Sequence, residues 1–191
     1  MLRAHRLAPA VATVVLAAAA LATAGTAHAA PARTGAARTG TALDISCSQA
    51  YLPLPDSACT PGVTNPDVTQ DTIDSTICVP GYSTSIRPST SYTNRLKVQQ
   101  IAQYGYADTS TADYEEDHFI PLSLGGHPTD PGNLWPEPHY ATDSSGLTST
   151  DKDTVEYKLY RAVCNHQVDL VPAQQAIATN WTTAVSVLGL G

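Results

Sequence analysis

The sequence predicts an α+β fold: a short β-hairpin, several amphipathic helices, and a loop-rich N-terminal part tied by disulfides. Three observations carry this. Helical periodicity appears in three separate segments after residue 90. Leu43 to Pro88 is rich in Pro, Thr, Ser and Asp and holds three of the four cysteines. Set among the helical segments is "DYEEDHFIPLSLGGHPTDPGNLWPEPH", Asp113 to His139, where apolar residues meet concentrated turn chemistry.

The chain starts with a processing signal. Arg3 and Arg6 form a basic start, "LAPAVATVVLAAAALATAG" an uncharged apolar core, and Ala27-His28-Ala29 a small-x-small cleavage site. Residues 1–29 are therefore expected to be a signal peptide, and 30–42, which include "PARTGAARTGT", a flexible leader. No cysteine follows the apolar core, so a lipoprotein anchor is not expected. No later apolar run is long enough to span a bilayer. The expected location is outside the cell, with no membrane attachment after cleavage and a monomer as the working unit. Residues 43–191 suit a single domain.

Charge narrows the function classes. The full chain carries −7, and the first thirty residues hold two basic residues and no acid, so the exported part is more acidic still. That argues against nonspecific nucleic-acid binding through a basic patch, while leaving room for metal-assisted chemistry on nucleic acid. Cys47, Cys59, Cys78 and Cys164 form an even set in an exported chain without C-x-x-C, which reads as two disulfides. Three pairings exist; Cys47–Cys59 with Cys78–Cys164 is preferred and would tie the start of the domain to its late helix.

Each element has its own signal. Leu43 to Pro88 reads as loops and short strands without a clear helix. In "SYTNRLKVQQIAQYG", Leu96, Ile101 and Tyr104 lie near one helical face and Gly105 marks a stop. "EDHFIPLSLGG" reads as a hairpin arm with Pro121 at an edge or bulge, and "HPTDPGN" as a turn. Thr150 or Asp151 is expected to cap a helix whose stripe is Val155, Leu159, Ala162 and Val163. A last helix is expected from about Pro172, with Ala173, Ile177, Trp181 and Val185 on its buried face.

The candidate chemistry centres on Asp117-His118. A carboxylate beside an imidazole can hold a cation while the imidazole takes a proton from water near neutral pH. On a regular strand the two would face opposite ways, so a shared site would need a bend. Gly125-Gly126 allows a sharp reversal, after which a buried Asn133 would hydrogen-bond across the turn and orient the histidine. Leu134 and Trp135 read as core, His127 as a loop residue, and Glu115 and Glu116 as solvent-facing or standing behind Asp117. Lys152, Asp153 and Glu156 open the following helix; Glu156 reads as a solvated carboxylate favoured by the helix dipole.

The series "EEDHFIPLSLGG…NLWPEP", followed by a helix containing Lys-Asp, resembles the HNH nucleases of the ββα-metal (His-Me finger) superfamily, in particular small exported bacterial HNH-like proteins. The resemblance is strongest over about Tyr114 to Cys164 and looser over "CTPGVTNPDVTQ", "STICVPGYSTSIRP" and "AQQAIATNW". It implies a ββα-metal core of hairpin plus helix at about 114–164, with His118 as general base, Asp117 as metal ligand, and Asn133 as the brace of the hairpin. The family's third motif residue has no obvious match. Asp153 is the choice by position, with His139 as the alternative; Lys152 would fit a motif lacking a second protein ligand. The implied reaction is phosphodiester hydrolysis of DNA, or of RNA, with one divalent cation. Oxygen-rich ligation suits Mg²⁺ or Mn²⁺ better than Zn²⁺, with a His139 ligand shifting the balance towards zinc. Arg87, Arg95, Lys97, Lys158 and Arg161 are the candidate phosphate contacts. The competing reading is an inactive, exported interaction module on the same scaffold. A peptide-cleaving metallohydrolase is remote, since no H-E-x-x-H is present.

Overall fold

A computed structural model describes residues Cys47–Gly191; the signal peptide and leader expected over 1–42 lie outside the described residues. Its elements are α1 (Tyr82–Ile86), α2 (Thr90–Gln103), β1 (Tyr114–His118), β2 (Leu134–Pro138), α3 (Ser149–Cys164), α4 (Leu170–Asn180) and α5 (Ala184–Val187), with short 3₁₀ turns between them. The class is α+β, a small two-stranded antiparallel sheet among helices.

The hairpin lies elsewhere than expected. Its arms are Tyr114–His118 and Leu134–Pro138, and "FIPLSLGG" belongs to the connection between them. Register pairs Asp117 with Trp135 and His118 with Leu134. Just beyond the strands, Phe119 N–H donates to the Asn133 carbonyl and His139 N–H to that of Asp113. By antiparallel alternation, Pro136 and Pro138 then fall at non-hydrogen-bonded positions with their nitrogens turned outward. Two prolines on that edge remove donors a third strand would need there, and among the described residues none pairs with β2 on that side.

Helix α2 packs across both strands. Its Lys97 ammonium donates to the carbonyls of Thr111 and Tyr114, and its Gln100 amide to that of Leu134. Ile101 and Tyr104 are buried, and Gly105, at φ +64°, ends the helix in the left-handed region. Helix α3 packs on the Leu122–Leu124 turn, α4 and α5. Its N-cap is Thr148 rather than Thr150 or Asp151. Asp151 instead sits three positions in, where its Oδ2 accepts from the Thr148 N–H and hydroxyl, closing a capping box. Leu159, Ala162 and Val163 are buried under α4, whose Ala173 and Ile177 face inward with Trp181 just beyond it. The stripe through Val185 is broken because the chain leaves α4 after Asn180 and re-enters a helix only at Ala184.

The N-terminal part has a 3₁₀ helix at Gln70–Ser75 and the short α1, where only loops and strands were expected. It wraps the hairpin's connection: Gly62 N–H donates to Gly132 O, Asn65 N–H to Gly125 O, and His127 N–H to Val63 O. Disulfides Cys47–Cys59 and Cys78–Cys164, the pairs named from sequence, fasten it. Among the described residues no helix is long and apolar enough to cross a membrane.

The second bridge closes a separation of 86 residues and the first only 12. Chain-entropy reasoning then assigns roughly 4.5 kcal/mol to the first-named loop's larger partner, Cys78–Cys164, and roughly 3 kcal/mol to Cys47–Cys59. Urea denaturation should show the Cys78→Ala/Cys164→Ala double variant losing more stability than Cys47→Ala/Cys59→Ala.

Candidate functional site

Strand alternation divides the candidate residues between two faces. The paired strands are regular through Asp117 and His118, so their side chains point opposite ways. Glu115 and Asp117 share a face with Glu137 and Trp135; Glu116 and His118 share the other with Pro136 and Leu134.

His118 is 4 % exposed. Its Nε2 lies 2.9 Å from the Pro128 carbonyl, which can only accept, so Nε2 carries the proton. Nδ1 therefore keeps its lone pair, with no hydrogen bond to it among the described residues. Burial holds the imidazole below its ordinary pKa, and the charge of Arg87 pushes the same way. The ring is neutral at physiological pH.

The Pro128 carbonyl is positioned by the connection Asn133 organises. Asn133 is fully buried; its Oδ1 accepts from Ile120 N–H at 3.0 Å, and its Nδ2 donates to the carbonyls of Ile120 (2.9 Å) and His127 (3.1 Å). Gly126 makes this closeness feasible, since a Cβ there would stand 1.7 Å from the Ile120 carbonyl oxygen. His127 is a turn residue whose Nδ1 accepts from Thr129 and Asp130 N–H.

On the other face, Asp117 Oδ2 accepts from the Lys152 ammonium at 2.7 Å and from the Trp135 indole at 3.3 Å. Lys152 is 1 % exposed and also donates to the His118 carbonyl (3.3 Å) and to Glu156 Oε1. This corrects the reading of Glu156 as solvated. Ser149, Lys152 and Glu156 recur at helical spacing and turn the same side of α3 toward the hairpin. Glu137, 3 % exposed, completes the cluster and was missed from sequence. Its signal was period two in β2, which places it on the face of Trp135. Burial by itself lowers the Lys152 pKa, but the carboxyl groups of Asp117, Glu156 and Glu137 outweigh it and hold the pKa well above the ordinary value. Burial also raises Glu137 well above the carboxylate range and pushes Glu156 up to about 7, against the pull of Lys152.

The remaining candidates lie around this cluster. Asp153 is exposed, and partial burial together with the charge of Asp117 raises its pKa. His139 is exposed, with Nδ1 3.3 Å from Ser149 Oγ. Arg95, Lys158 and Arg161 are exposed on α2 and α3, whereas the Lys97 ammonium is committed to backbone carbonyls. Glu116 was expected to face solvent or stand behind Asp117; it lies on the opposite face from Asp117 and is withdrawn from solvent. Both its carboxylate oxygens are buried without a hydrogen-bond partner among the described residues, and burial, opposed by Lys97, pushes its pKa up to about 8.

A divalent cation implied by the resemblance would fall to Asp117, with Asp153 or His139. Among the described residues no three His, Cys, Asp or Glu side chains come together to hold a metal, and Asp117 Oδ2 already serves an ammonium and an indole. Comparison with sequence-family models, curated proteins and solved structures finds no match.

Replacing Asn133 with Ala leaves one buried N–H and two carbonyls without their partner, and should cost about 3 kcal/mol in urea denaturation. Glu116 supplies a pH signature. Between about pH 4.5 and 8 the folded chain holds a proton that the unfolded chain has released, so stability falls as pH rises through this window and levels off above it. Glu116→Gln should flatten that fall in melting curves taken across the window.

Proposed function

We propose that the chain is an exported nuclease that hydrolyses phosphodiester bonds, with His118 as the general base, built on the ββα arrangement that the HNH resemblance implies. The observation that carries this reading is the state of His118. It is neutral, its tautomer is set by the Pro128 carbonyl, and its unpartnered Nδ1 carries a lone pair. A base that abstracts a proton from water needs these properties. Asn133 acts through the backbone, holding the turn that presents Pro128 to the ring.

In the proposed reaction Nδ1 takes the proton of a water attacking phosphorus. Arg87 is exposed and near enough for its charge to act on His118, so it is the cation best placed to meet phosphate oxygens beside the base. Lys97 is withdrawn from that role by its backbone contacts. Two disulfides fit an oxidising compartment, in keeping with export through the N-terminal signal.

The alternative, a non-enzymatic exported module on this scaffold, draws on two observations: His118 is largely covered, and Asp117 is engaged by Lys152. Digestion of plasmid DNA and of RNA, with Mg²⁺, with Mn²⁺ and with EDTA, separates the two. The nuclease reading expects cleavage by wild type and a loss of about 100-fold or more in His118→Ala. Arg87→Ala should weaken cleavage by about tenfold. Because burial holds the folded histidine below its ordinary value, activity should rise with pH through a midpoint below that of a free imidazole and then level off. A folded wild type inactive on both nucleic acids under all conditions would favour the module.

A further inference from the structure

We propose that the Lys152 ammonium is the resident cation of the Asp117 site, occupying an oxygen cage that in its absence would take a divalent metal. The inference rests on geometry and stands apart from the nuclease reading. Three oxygens from two elements converge on Nζ: Asp117 Oδ2 and the His118 carbonyl from β1, and Glu156 Oε1 from α3 itself. An ammonium has three hydrogens, and each has an acceptor. An all-oxygen shell with two carboxylates and a carbonyl is the donor set hard cations use.

Charge balance points the same way. Asp117 and Glu156 bring two half-buried carboxylates to the Lys152 ammonium, which bonds both, with the buried Glu137 carboxyl beside them. Leaving such a cluster without a cation would be strongly unfavourable at low dielectric. A protein can supply that cation by recruiting an ion or by inserting a side chain. Here α3 inserts one: Nζ reaches the β1 backbone from a helix whose principal packing partners are α4, α5 and the Leu122–Leu124 turn. The occupied cage therefore links α3 to the end of β1, as a metal shared between them would.

Two consequences follow. Wild type has no vacancy for a divalent cation at Asp117 Oδ2, and its stability is indifferent to chelators. Lys152→Met removes the ammonium but keeps an apolar stem, leaving Asp117, Glu156 and the His118 carbonyl to receive an ion.

The test uses the oxidised, purified chain, with Mn²⁺ alone as the probe. Binding is followed by electron paramagnetic resonance and isothermal titration, and stability by thermal melting with Mn²⁺ or EDTA. The expected result is no Asp117-dependent Mn²⁺ binding by wild type up to about 1 mM, and an unchanged melting temperature in EDTA. Lys152→Met should bind one Mn²⁺ at least about tenfold more tightly than wild type and melt higher with Mn²⁺ than with EDTA. Adding Asp117→Asn to Lys152→Met should abolish both gains. Stoichiometric Mn²⁺ binding by wild type that Asp117→Asn removes would overturn the proposal, as would a folded Lys152→Met with no gain in affinity. Should Lys152→Met fold only when Mn²⁺ is present, the proposal is upheld; should it fold under neither condition, the wild-type and Asp117→Asn titrations decide. No readout involves nucleic-acid cleavage, so failure here is separable from failure of the nuclease reading.

Discussion

One buried ammonium holds this structure to its geometry. Lys152 lies on α3, yet its three hydrogen bonds end on Asp117, the His118 backbone and Glu156. A strand reading Tyr-Glu-Glu-Asp-His is a poor candidate for burial on either face, because its carboxylates lose hydration without gaining apolar contact. The ammonium changes that balance on the face it reaches. It also sets where α3 stands relative to the hairpin, since the distance between them is spanned by one lysine side chain. Removing one partner of such a cluster is costly because the others remain buried.

A second constraint acts through the connection between the strands. Its backbone folds back closely enough that Gly126 admits no Cβ, and Asn133 supplies the hydrogen bonds that two approaching carbonyls and an N–H require. The N-terminal loops add backbone hydrogen bonds to the same connection, and the long-range disulfide keeps that part of the chain against α3. The Pro128 carbonyl thus reaches His118 from a segment whose own flexibility is already restricted.

Strand alternation then separates the two residues that sequence set side by side. Asp117 is committed to the buried ion cluster and His118 to a neutral state with one free nitrogen. On the proposed reading, chemistry belongs to the His118 face, close to Arg87, and the Asp117 face serves chiefly to hold the strand. Glu116, on the histidine's side and without a hydrogen-bond partner among the described residues, adds a group whose proton is released only near pH 8.

Much of this was legible in sequence because it depends on local rules. Periodicity located α2, α3 and α4, an even cysteine count in a chain expected to be exported indicated two bridges, and the Gly-Gly and Asn133 pattern marked a tight turn. The hairpin's arms were misplaced because the apolar content of "FIPLSLGG" looks like strand, whereas the true strands are acidic on one side and proline-rich on the other. Propensity disfavours both, and only their pairing and the packing of α2 across them make them strands. Glu156 read as solvated for a similar reason: at the start of a helix, charged residues are ordinarily outside, and nothing local shows that the Asp117 face will cover it. Local chemistry along the chain already says which residues carry charge, which can turn, and which stripe each helix buries. Tertiary structure alone decided which carboxylates meet the lysine and which face the histidine takes, because both depend on how strand alternation and helix position bring distant residues within hydrogen-bond reach.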